Sequence, residues 1–109
     1  MNGIDIDRIH IMRRAARTDG NQTVIVDALR GFGASVHVGS AIGRGFPDII
    51  CGYRGRTFLF EIKDPSKPKG DRQLTPDQVK FRNSWNGHYA VIERVEQAIN
   101  ELLHRQGSL

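Results

Sequence analysis

The stretch Asp48-Ile-Ile-Cys-Gly-Tyr-Arg-Gly-Arg-Thr-Phe-Leu-Phe-Glu-Ile-Lys63 consists of two apolar, β-prone runs separated by Arg54-Gly55. Runs of this composition on either side of a short turn signal read as a tight β-hairpin with both strands mostly buried. With Arg54 and Gly55 as the turn residues, opposed positions sum to 109. Tyr53 then faces Arg56, Ile50 faces Leu59, and Asp48 faces Glu61. Directly opposed side chains have Cβ atoms ~5 Å apart, so two carboxylates project from one face at the open end of the hairpin. Lys63 lies on the same face, roughly 6 to 7 Å farther along its strand. Like charges placed this way repel one another unless a cation sits between them.

Before the hairpin, Ile25, Ala28, Leu29 and Phe32 follow an i, i+3, i+4, i+7 stripe, predicting a helix from Asn21 or Gln22 to about Phe32, with Gly33 as its stop. Ala34 to Val38 reads as a strand with Val36 and Val38 on one face. After it, Asp64 to Leu74 is loop-rich, and Thr75-Pro76-Asp77-Gln78 is a capping box with proline at the first helical position. That helix runs to about Asn86 and Gly87. His88 to Glu93 follows as a strand, and Val95 to about Arg105 as a closing amphipathic helix. The order α-β-β-β-α-β-α predicts an α/β domain with a mixed central sheet and helices on its faces. Residues 4–17 read as either a short helix or a basic arm within an N-terminal extension, residues 1–20.

The 109 residues suffice for one domain and one modest core. Sixteen Lys+Arg against twelve Asp+Glu leave a net charge of +4, a mild bias toward a polyanionic partner. The single Cys51 cannot close an internal disulfide, which fits a reduced, intracellular compartment. No stretch approaches the ~20 apolar residues of a membrane span, and the acidic start, MNGIDIDRIH, is unlike a secretory leader. Gly39, Gly43 and Gly45 lead into a strand with no Gly-Lys-Ser/Thr after them, which argues against a nucleotide cofactor. Their expected role is a mobile or closely packed turn that places Asp48. The four histidines fall on separate elements, and Cys51 reads as a buried strand residue, so no Ser-His-Asp or Cys-His arrangement can be argued.

Asp48, Glu61 and Lys63 thus form a carboxylate, carboxylate, ammonium cluster on otherwise apolar strands. Hard oxygen ligands of this kind suit Mg²⁺ or Mn²⁺, which accept one or two carboxylates and keep several waters. With a nearby lysine to orient a water and offset phosphate charge, the cluster has the parts for metal-assisted phosphodiester hydrolysis. Taken singly, the same residues read as a turn aspartate and a solvated edge pair. The mirror-symmetric register and the apolar neighbours favour a site.

Gly45-Phe46-Pro47-Asp48, the hairpin, and Glu61-Ile62-Lys63, with Glu61 thirteen positions after Asp48, resemble the PD-(D/E)XK nuclease signature. The following Leu74-Thr75-Pro76-Asp77-Gln78, with Phe81 and Trp85, makes the chain similar to the VRR-NUC family of that superfamily, in its stand-alone bacterial or phage form. The resemblance covers about residues 17 to 103. It implies a restriction-endonuclease-like α/β/α sandwich making residues 1–109 one nuclease domain. It also implies an Mg²⁺- or Mn²⁺-dependent endodeoxyribonuclease selective for branched DNA, resembling Holliday-junction resolvases, and working as a homodimer in the cytoplasm of a bacterial or phage-infected cell. By position, Asp48, Glu61 and the backbone carbonyl of Ile62 would be metal ligands. Lys63 would be the catalytic lysine, and Gln78 the polar residue beside the site. The alternatives are a non-catalytic nucleic-acid-binding module with a nuclease fold and a restriction-type nuclease.

Three further expectations concern the surroundings of the cluster. Gln78 either completes the capping box alone or also supports the site. Phe81 and Trp85, at i+3 and i+7 from it, read as core residues packing on the sheet. Gln22 lies on the sheet-facing stripe of the first helix, whereas Asp27 points away, so Gln22 is the candidate for site support from that helix, with an ordinary helix-terminal glutamine as the other reading. Arg44, Lys67, Lys69 and Arg72 are the candidate phosphate contacts. No base-reading motif is visible.

Overall fold

The computed structural model describes residues 20–104. The 1–20 extension, including the 4–17 segment read as a helix or an arm, lies outside the described residues except for Gly20. The elements run α1 (Gln22–Gly31), β1 (Ser35–Val38), β2 (Ile49–Tyr53), β3 (Arg56–Ile62), α2 (Pro76–Ser84), β4 (Tyr89–Ile92) and α3 (Val95–Leu103), with one 3₁₀ turn at Lys69–Arg72. They form a small α/β domain whose four-stranded sheet has the order β1-β2-β3-β4, antiparallel up to β3 and parallel between β3 and β4. The parallel pair requires a crossover, which α2 provides.

The hairpin register is the one the turn dictates. Tyr53 pairs with Arg56 and Ile49 with Phe60. Arg54 and Gly55 both have positive φ, 52° and 79°, the signature of the two-residue turn whose twist matches the strands it joins. Odd positions of β2 and even positions of β3 face the core: Ile49, Cys51, Phe58, Phe60 and Ile62 are all buried. They pack with Ile25, Val26 and Leu29 of α1 and Ala98 and Leu102 of α3. A full burial of this kind contributes about 1.5–3 kcal/mol per large side chain. The alternate positions, Ile50, Leu59 and Glu61, belong to the opposite face, where Gln78 of α2 reaches Glu61.

Helix α1 ends as the sequence implies. Gly33 takes φ 108°, and its N–H and that of Ala34 return to the carbonyls of Arg30 and Leu29. The helical stripe, however, ends before Phe32. That residue caps the helix, stays 40% exposed, and lies against Tyr53 at 5.6 Å between ring centroids, while Val26 takes the core position. Val38, on the same strand face as Val36, is 57% exposed against 5% for Val36, at the far end of an edge strand. Arg30 shields that edge by donating from Nη2 to the Val36 carbonyl at 2.8 Å. At the other end of the molecule the Arg56 guanidinium donates to the carbonyls of Leu102 and His104, tying the hairpin turn to the C-terminus of α3.

Candidate functional site at the open end of the hairpin

The β2–β3 ladder stops at Ile49 and Phe60, one pair short of Asp48 and Glu61. The reason is proline. In the same register the partner of Ile62 is Pro47, which has no N–H to offer the Ile62 carbonyl. The Ile62 N–H is taken instead by the Asp48 carboxylate, Oδ2 accepting at 2.7 Å, while the Asp48 carbonyl accepts from Gly39 at 2.7 Å. N–H and C=O of one strand residue project to the same side, so the Ile62 carbonyl faces the Asp48 side of the hairpin. Asp48, Glu61 and that carbonyl therefore gather at one end of the sheet.

Glu61 and Lys63 are buried, with 2% and 8% exposure, an expensive condition for charged groups unless they are paired and hydrogen-bonded. The Lys63 ammonium is 3.7 Å from Glu61 Oε2. Gln78 joins them: its Nε2 donates to Glu61 Oε2 at 2.9 Å, and its Oε1 accepts from Lys63 Nζ at 3.1 Å. The same Oε1 accepts from the Thr75 N–H at 2.9 Å, while Thr75 Oγ1 accepts from the Gln78 N–H. One amide thus completes the capping box and bonds both Glu61 and Lys63. Its orientation follows from its neighbours. Two obligate donors meet the oxygen and a carboxylate meets the NH₂, so the amide cannot flip without losing bonds.

Glycine brings α2 to this position. Gly45 has φ 78°, and a Cβ there would lie 2.2 Å from the Asp77 carbonyl oxygen and 2.8 Å from the Gln78 nitrogen. The loop leading to Asp48 therefore lies flush against the first turn of α2. Gly39 is similarly crowded, its Cβ position 2.8 Å from the Phe46 ring. These are close-packing glycines, one of the two roles read from the sequence. Phe46 meets Phe81 edge-on at 5.3 Å, completing the seam.

Two contributors escaped the sequence reading. Asn21 does not cap α1 with its side chain; its Nδ2 donates to the carbonyls of Lys63 and Glu93, at 3.0 and 2.9 Å. With the Lys63 N–H bound to the Ile92 carbonyl at 3.0 Å, the backbone that carries the ammonium is held from both sides. Tyr89 sits beside Leu59 in the parallel pair, on the Glu61 face of the sheet. Burial first, then the negative charge of Glu61, pushes its phenol up to about 12, against an opposing pull from Arg82 and with a last, lesser push from Asp48. An asparagine at a helix start reads as a cap, and a parallel register has no turn from which it can be counted. Neither residue had a local signal.

The remaining sequence candidates divide. Gln22 is buried at 6% exposure, as its place on the stripe implies, but its Oε1 has no hydrogen-bond partner and no bond joins it to Lys63 or Gln78. Arg44, with φ 57°, is exposed beside Gly45, and Lys69 is exposed; Lys67 is half-buried. Arg72 turns to Glu93, 3.6 Å away. Of the two aromatics read as core, Phe81 is half-buried, whereas Trp85 is 43% exposed, because α2 buries no residue fully and ends before it can lay the indole on the sheet.

Among the described residues no three His, Cys, Asp or Glu side chains are grouped to share a metal ion. The donor set at the hairpin end is two carboxylates and a main-chain carbonyl. Mg²⁺ accepts such a set because it retains waters in its remaining positions. Among the described residues no helix is long and apolar enough to cross a membrane. No family model, curated protein or solved structure matches the chain. What fold and site define by themselves is a small α/β domain with a buried Glu-Lys pair, bridged by a half-buried glutamine, beside an aspartate at one end of a mixed sheet.

Proposed function

We propose that the chain is a metal-dependent DNA endonuclease with a restriction-endonuclease-like α/β/α sandwich, of the VRR-NUC kind, selective for branched DNA. The observation that carries this reading is the buried Glu61–Lys63 pair, joined by the half-buried Gln78 amide, across the hairpin end from Asp48. Asp48, Glu61 and the Ile62 carbonyl would hold Mg²⁺ or Mn²⁺, whose chemistry there is to acidify a water and neutralise charge on a phosphate oxygen. Lys63 places a cation beside the phosphate and orients the attacking water. Gln78 holds Glu61 Oε2 and Lys63 Nζ at a fixed spacing, so neither must reorganise as the substrate arrives. Arg44, Lys67 and Lys69 would meet the DNA backbone without reading bases.

A second copy of the chain supplies the grip on a branched duplex that one small domain lacks, so the working form is a homodimer. Sizing chromatography with light scattering tests this directly, and a strict monomer at working concentration overturns it. The enzymatic reading is tested by incubating the protein with linear, nicked, flap and four-way-junction DNA, with and without Mg²⁺ or Mn²⁺, alongside Lys63→Ala. Metal-dependent cutting of branched substrates that the variant loses is the expected result. Binding without cutting on every substrate means a non-catalytic module, and cutting at one sequence in linear duplex means a restriction-type nuclease.

A further inference from the structure

Trp85 is the only tryptophan of the chain, and it is exposed yet held still. Its Nε1–H donates to the His88 carbonyl at 3.2 Å. Its ring stacks on Phe81 with centroids 5.5 Å apart and planes at 18°. Gly87 lies against the Nε1–Cε2–Cζ2 edge, so close that a Cβ there would come within 2.8 Å of Nε1. The stack leads back to the site, since Phe81 meets Phe46, two residues before Asp48. The nearby part of α2 is basic, and one carboxylate, Glu101, lies 3.9 Å from His88 Nε2. From Gln78 to Ile92 the chain carries Lys80, Arg82 and His88 and no carboxylate, and Lys80 and Arg82 are exposed on α2.

We infer that the exposed indole of Trp85 is a stacking platform for an unpaired nucleobase of the DNA strand that enters the hairpin-end site. An aromatic ring already fixed in place loses little entropy when a base stacks on it. Every base offers a π-face, so the contact needs no sequence. Lys80 and Arg82 supply the cations that hold the flanking phosphates. The inference rests on the nuclease reading and deepens it. A platform that takes only unpaired bases selects DNA with single-stranded character near the cut, such as a flap or an open branch point, over continuous duplex.

The indole is its own reporter. In EDTA, where no metal-dependent cutting occurs, the full chain is titrated with a short oligothymidylate, an abasic oligonucleotide of equal length, and duplex. Quenching of tryptophan emission by the oligothymidylate and not by the abasic strand is expected. Equal quenching by both, or none by either, overturns the proposal. So does emission that changes with protein concentration alone and tracks self-association, which would make the platform a contact between two copies. In anisotropy titrations with labelled oligothymidylate, Trp85→Ala weakens binding roughly five- to a hundred-fold, while Trp85→Phe retains most of it. Equal losses in the two variants, or none in either, count against stacking. Cutting without base-dependent quenching removes this inference alone; quenching without cutting on any substrate removes the nuclease reading alone.

Discussion

Gln78 Nε2 donates to Glu61 Oε2 at 2.9 Å, across seventeen residues of sequence and from the first turn of a helix to the end of a strand. Because the Gln78 carbonyl oxygen also accepts from Thr75 and Lys63, the helix cap and the buried ion pair share one amide. Stability and the proposed activity thereby meet at this residue, and substitution of its neighbour separates them.

Thr75→Ala removes the other half of the capping box without touching Glu61 or Lys63. It is expected to lower stability by about 1 kcal/mol and leave cleavage nearly intact. Gln78→Ala is expected to lose the cap and also cut the rate by tenfold or more. Urea denaturation and single-turnover cleavage of both variants check the difference; equal rate losses would mean that Gln78 acts through the cap alone.

Lys63→Ala removes the cation beside a carboxylate that is 2% exposed, leaving it the Gln78 amide. Breaking a buried ion pair costs up to about 3–5 kcal/mol, so the variant is expected to unfold at lower urea. Lys63→Ala with Glu61→Gln should recover part of that loss while staying inactive. A double variant no more stable than the single one would show that the pair is not coupled.

Pro47→Ala restores an N–H across from Ile62. That N–H can take the Ile62 carbonyl and compete with a metal for it. The expectation is a several-fold higher Mg²⁺ requirement for cleavage, with the fold retained. An unchanged Mg²⁺ titration would remove the Ile62 carbonyl from the donor set.

Gly45→Ala meets both a positive φ and the backbone of Asp77, whereas Gly43→Ala, at φ 82°, meets open space. Conformational strain alone costs about 1 kcal/mol. Gly43→Ala should lose roughly that much, and Gly45→Ala at least about 2 kcal/mol more, because α2 must move. Equal destabilisation in chemical denaturation would show that the contact with α2 has no energetic weight.

Tyr89 is expected to ionise late. Its phenol is raised by burial and then by Glu61 and Asp48, so the native state favours the neutral form. The stability this contributes is fully present below the unfolded value of about 10 and is lost as pH rises toward about 12. With Tyr53→Phe leaving one tyrosine, phenolate absorbance should have its midpoint above 10. Glu61→Gln should move that midpoint down. A midpoint at or below 10 in the native protein would place Tyr89 away from the carboxylates.

Several features follow from the sequence alone because they depend on neighbours along the chain. The hairpin register as far as Ile49 and Phe60 follows from Arg54-Gly55, the start of α2 from Thr75-Pro76-Asp77-Gln78, and the end of α1 from Gly33. Tertiary structure alone decided which helix face meets which strand end. The parallel β3–β4 pairing brings Tyr89 to the Glu61 face, Gly45 brings Gln78 within reach of Glu61 and Lys63, and Asn21 leaves its cap to hold the Lys63 backbone. It also leaves Trp85 in solvent, although its spacing from Gln78 and Phe81 reads as core. Periodicity says which residues share a face. Whether that face is covered depends on the packing of segments far apart in sequence, and a helix as short as α2 leaves its last ring beyond the sheet.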